Sequence, residues 1–191
     1  MDNNLPIFYL TIDDKDETGV EAVALVDTPA IERNWMAFKK NKPYSFEITN
    51  EEKRVVSGPL MVADFPVYRK EDDQEYYVIF DKETIRKIVY KYMKAGLTKS
   101  VNEMHETPID GVFMFESFII DEKKPTPKGF SKLTEGSWFG SFKIENDDVW
   151  KKVKSGEFKG FSVEGGFNEG KRMDIDRMII EEIESALSGT N

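Results

Sequence analysis

Short runs of β-branched and aromatic residues recur along most of this chain, and Gly, Pro or acidic turn residues cut each one off before it grows long. That rhythm belongs to a protein built mainly of short strands. Ile7 to Ile12 and Val20 to Val26 read as a strand pair, separated by the acidic stretch Asp13 to Glu17 and Gly19. Tyr44, Phe46 and Ile48 alternate with Ser45 and Glu47, the period of two expected of a half-buried strand. Further strands are expected at Lys53 to Leu60, Tyr76 to Phe80, Ser100 to His105, Val112 to Ile120, Ser137 to Ile144 and Glu157 to Glu164. The acidic stretch Lys70 to Glu75 has no apolar residue to bury and is expected as an exposed loop, and Lys39 to Pro43 as a basic one.

Helical spacing is rarer. Ile85, Ile88, Val89 and Tyr92 form one stripe over residues 82 to 95, with Asp81 placed to cap the start and Gly96 to stop the end. The opposite, basic face of that helix is expected to be solvated. A short helix bearing Val149, Trp150 and Val153 should be capped by Asp147 and ended by Gly156. Ile175, Met178, Ile179, Ile183 and Ala186 define an amphipathic C-terminal helix behind the polar stretch Asn168 to Arg172. The expected fold is mixed α+β, mainly β, arranged as a barrel flanked by helices. Residues 1–167 would form the domain, and residues 168–191 a linker and the terminal helix.

Composition narrows the chemistry. A chain of 191 residues with 39% hydrophobic and 13% aromatic residues has the material for one ordinary core. A net charge of −9 argues against a nucleic-acid partner, because phosphate backbones are held by clustered Lys and Arg. The absence of cysteine removes thiolate nucleophiles, disulfides and thiolate metal sites together. The single histidine argues against a His-rich metal centre, so no metal and no cofactor are expected. Apolar runs are too short to span a bilayer and the N-terminus lacks signal-peptide regions, so no membrane association is expected and the reading is of a soluble intracellular protein.

What remains is a lone base and a serine. His105 falls at a strand end, and Ser162 on a strand whose Phe161 and Val163 face one side while Ser162 and Glu164 face the other. A serine hydroxyl attacks a carbonyl only when a base within reach accepts its proton, and imidazole is the side chain suited to that near neutral pH. Spacing in the sequence does not bring the two together, and a turn histidine and a surface serine are the ordinary explanation.

The segment Gly156-Glu157-Phe158-Lys159-Gly160-Phe161-Ser162-Val163-Glu164-Gly165 resembles the nucleophile strand of phage prohead, or capsid maturation, serine proteases. His105-Glu106-Thr107-Pro108-Ile109-Asp110-Gly111 resembles their histidine segment. Three further stretches, from Leu25 to Glu32, Val56 to Met61 and Glu116 to Ile120, resemble the serine proteases of PBSX-like prophages. The resemblance implies a fold similar to herpesvirus assemblin, a β-barrel wrapped by helices. It implies Ser162 as nucleophile and His105 as base; the chain has no second histidine for a third member, so either an acid stands in, with Glu116 preferred over Glu106 and Glu164, or none does. Gly165 and Gly166 would either let backbone approach the oxyanion or simply close a turn.

The implied work is cleavage of scaffold protein, major capsid protein and the protease itself, inside the immature procapsid in the bacterial host cytoplasm. The alternative is a non-catalytic procapsid component of the same fold. The C-terminal stripe would either join two copies into a homodimer or pack on its own barrel.

Overall fold

The computed structural model describes residues 5–13, 15, 17–27, 45–71, 74–130 and 132–173. The expected C-terminal helix, and the stretch from Ile31 to Pro43, lie outside them. In chain order come β1 (Ile7–Thr11), β2 (Gly19–Val26), β3 (Glu47–Asn50), β4 (Val55–Met61), β5 (Val67–Glu71) and β6 (Gln74–Ile79). Helix α1 (Lys82–Lys94) follows, then β7 (Val101–Glu103), β8 (Thr107–Pro108), β9 (Val112–Ile119) and β10 (Trp138–Ile144). Helix α2 (Asp147–Ser155) precedes β11 (Gly160–Gly166) and β12 (Asn168–Met173).

The strands form three four-stranded sheets, in the orders β12-β1-β6-β5, β3-β4-β10-β9 and β11-β2-β7-β8. The architecture is mixed α+β and mainly β. None of the three ladders closes on itself among the described residues, so hydrogen bonding does not draw the barrel that was expected. Alternation predicts that a segment is a strand; whether a sheet closes depends on pairings between distant segments, which alternation does not encode.

The first two strands show the same limit. β1 and β2 were expected to pair, yet β1 lies between β12 and β6, and β2 between β11 and β7. Most of β2 is buried, which suits a central strand covered on both sides. Asn168 to Arg172, expected as a linker, pairs antiparallel with β1 as an edge strand. Exposed Asn168 and Glu169 hide that strand from any apolar pattern. The acidic stretch from Lys70 to Glu75 is mostly strand as well, with β5 and β6 paired through Lys70 opposite Glu75.

The main core collects Val23 and Leu25 from β2, Trp138 and Phe142 from β10, Phe161 from β11, and the stripe of α1. Phe142 and Phe161 stack with ring centroids 4.6 Å apart, tying the second sheet to the third. Helix α1 matches its sequence signals. The Asp81 carboxylate accepts from the Thr84 N–H at 2.7 Å, Ile85, Ile88, Val89 and Tyr92 are buried, and Gly96 turns left-handed at φ +71°. Helix α2 starts where expected, but its cap is Asn146, whose side chain accepts from the Asp148 and Val149 N–H groups. Asp147 becomes a first-turn acid instead, and its carboxylate meets Arg54 at 2.6 Å.

Among the described residues, one buried polar side-chain atom in this core has no partner. The Tyr92 hydroxyl makes no hydrogen bond to them, and burial pushes its pKa above the ordinary tyrosine range. An orphaned buried hydroxyl costs free energy that a shape-preserving apolar replacement recovers. Tyr92→Phe should therefore raise stability by about 1 kcal/mol. Urea denaturation would check this, and a lower midpoint would show that the hydroxyl has a partner after all.

Candidate active site

The site is assembled on the third sheet by the alternation of its strands. On β2, Val23 and Leu25 point into the core, so Ala22 and Ala24 occupy the other face. On β11, Phe161 and Val163 pack against the core, which turns Ser162 and Glu164 to the same side as the two alanines. Register completes the row. Ser162 lies opposite Ala24, Glu164 opposite Ala22, and Asn102 of β7 sits on the far side of Ala24.

Because alanine carries only a methyl group, side chains from the outer strands can meet across β2. The Asn102 side chain donates from Nδ2 to Glu164 Oε2 at 2.7 Å.

His105 enters from the turn between β7 and β8. Met104 and His105 have φ of +54° and +64°, and the Glu106 N–H donates to the Glu103 carbonyl at 2.9 Å. Two successive left-handed residues under an i to i+3 bond are the pattern of a type I′ turn, which normally takes Asn-Gly. Here a methionine and a histidine adopt it, at a conformational cost that persists only because neighbours enforce it. The Asn102 Oδ1 accepts from the His105 N–H at 3.1 Å. The ring is thereby presented to β11, with Nδ1 3.4 Å from Glu164 Oε2.

Ser162, His105 and Glu164 border one cleft of about 750 Å³, whose other wall is formed by residues such as Phe8, Arg69 and Tyr76 of the first sheet. Ser162 is 7% exposed, whereas the His105 and Glu164 side chains are 38% and 45% exposed. No hydrogen bond joins the Ser162 hydroxyl to the His105 ring in this structure. Such bonds are commonly long in the free enzyme and tighten once substrate is bound.

Of the three acids considered, Glu164 is the one brought to His105. Glu116 stands on β9 in a different sheet. Its carboxylate accepts from Ser141 Oγ at 2.7 Å, and Ser141 shares a 2.9 Å bond with Ser57. Glu106 is an exposed turn residue, and its backbone N–H closes the turn. Gly165 and Gly166 lie within β11 and not in a closing turn, and the register shifts between Glu164 and Gly165.

Asn102 was missed by sequence reasoning. The available signal was an asparagine three residues before a turn histidine, since Asn side chains commonly bond backbone a few residues on.

A serine, a histidine and a carboxylate facing one cleft on a mainly β scaffold are the parts from which serine hydrolases are built. The chain belongs to the family described as "Putative phage serine protease XkdF", whose model matches residues 45–171. That span contains Asn102, His105, Ser162 and Glu164. No curated protein and no solved structure matches the chain.

Proposed function

We propose that this protein is a serine endopeptidase that processes scaffold and major capsid proteins, and itself, during phage procapsid maturation in the bacterial host cytoplasm. The observation that carries the reading is the approach of Glu164 to His105 Nδ1 on the sheet face that also holds Ser162. With Nδ1–H directed at the carboxylate, Nε2 is left to accept the Ser162 proton as Oγ attacks the scissile carbonyl. The tetrahedral adduct collapses to an acyl-enzyme when the imidazolium returns that proton to the leaving amine. Water, deprotonated by the same nitrogen, then releases the acid and restores the serine.

Capsid and scaffold substrates are part of the proposal because the family is a phage family and the two motif segments resemble those of prohead proteases. The test is to incubate the protein with the scaffold and capsid proteins of its own phage and to identify fragments by mass spectrometry. A fluorophosphonate probe added in parallel should give a single adduct, on Ser162. Binding of capsid protein with neither fragments nor adduct would replace the enzyme with a non-catalytic procapsid component.

The acid assignment makes its own prediction. Glu164→Gln should lower kcat by about a hundredfold, at the low end for acid–base machinery because the pair is partly open to water. Glu116→Gln should leave kcat unchanged, since its carboxylate serves the Ser141 hydroxyl in another sheet. Steady-state kinetics on a fluorogenic peptide would separate them, and the reverse order would return the role to Glu116.

A further inference from the structure

We propose that Asn102 is a positioning residue that sets the tautomer and ring orientation of His105, an inference that rests on the serine protease reading. Asn102 is buried on β7, 9% exposed, and both ends of its amide are engaged. The chemistry of the partners fixes which end is which. A backbone N–H can only donate, so the amide oxygen faces His105, and the NH2 must then face Glu164.

One planar group therefore fixes two things at once. Its oxygen holds the histidine backbone in the left-handed turn, and its nitrogen holds Glu164 Oε2, the same oxygen that faces His105 Nδ1 at 3.4 Å. A carboxylate oxygen held in this way accepts and does not donate, so the ring must present Nδ1–H to it and keep Nε2 as the acceptor. Without Asn102 the carboxylate swings toward solvent, where its side chain is already 45% exposed, and the turn loses its side-chain brace.

The amide offers an acceptor to one partner and a donor to the other. Aspartate keeps the bond from His105 but turns a second carboxylate on Glu164. Alanine leaves both partners unmet. Ala24 is part of the same device, because a larger side chain there would stand between Asn102 and β11.

The chain has one histidine, so a long-range 1H–15N spectrum of the uniformly labelled protein contains a single imidazole. In the neutral ring the wild type should show the Nδ1–H tautomer, and Asn102→Ala should shift the population toward Nε2–H. The amide fingerprint of the first two sheets should stay in place. On a cleaved peptide, kcat should fall by about tenfold to a hundredfold with KM little changed.

Asn102→Asp should be impaired as well. The double variant Asn102→Asp/Glu164→Gln should regain the Nδ1–H tautomer, because the glutamine NH2 can donate to Asp while its oxygen accepts from Nδ1–H, but its kcat should stay no higher than that of Glu164→Gln. An Nε2–H tautomer in the wild type, or a tautomer unchanged in Asn102→Ala, would overturn the inference. The tautomer is read without substrate, so it decides this point even if the protein cleaves nothing and Ser162 takes no probe, the result that would sink the protease reading instead.

Discussion

Ser162→Ala is expected to reduce cleavage by about 10⁴-fold or more. The chain has no cysteine to substitute as a nucleophile and only His105 to act as an imidazole base. Removing Oγ therefore removes covalent catalysis outright. The fold should be indifferent to the change. The Ser162 hydroxyl makes no hydrogen bond to the described residues that holds the sheet, and its neighbour across the ladder is Ala24. Stability should stay within about 0.5 kcal/mol of wild type. Fragment analysis by mass spectrometry and a thermal melt on the same sample check both halves. Undiminished cleavage by the variant would remove Ser162 from the mechanism.

The largest effect on stability is expected next door, and it separates two adjacent glycines. A Cβ at Gly165 would stand 1.9 Å from the Gly19 carbonyl oxygen and 2.9 Å from the Val20 Cα. Both are backbone atoms of β2 and cannot rotate aside, so Gly165→Ala must push β11 off its partner. A loss of about 3 kcal/mol or more follows, roughly 10 °C in Tm for a chain of this size. A Cβ at Gly166 meets nothing within 4 Å, so Gly166→Ala should change stability by about 0.5 kcal/mol or less. Parallel calorimetry of the two variants is the test. Equal melting temperatures would mean that the close approach at Gly165 is relieved by small strand movements. Because Gly165 follows Glu164 directly, the displacement should also cost activity.

Elements that carry their own stripe were legible in the sequence. The apolar spacing and caps of α1 are local, and the helix appears with its expected buried face. Strands with an alternating pattern were equally readable, because Phe161 and Val163 must bury on one side and so send Ser162 and Glu164 to the other. Strand partners were not, since β1 and β2 carry nothing that names β12 or β11 as a neighbour. β12 escaped altogether because an edge strand can remain polar.

The site divides along the same line. His105 and Ser162 were singled out by residue type and motif, whereas the choice among three acids depended on which strand lies beside the histidine turn. That is a question of register, and β9 belongs to a different ladder. Asn102 lay further out of reach, because its partners are a backbone group in a left-handed turn and a carboxylate two strands away.

The middle strand of that sheet has a role out of proportion to its chemistry. β7 and β11 never pair with each other; each is laddered to β2, which lies before the residues matched to the family. A fragment trimmed to residues 45–171 would keep the serine, the histidine, the acid and the amide, yet have no common lattice on which to set them. The smallest working unit is therefore drawn by hydrogen-bond ladders and extends beyond the residues matched to the family. A segment whose inward contribution to the site is two methyl groups is the part for which nothing else in the described chain substitutes.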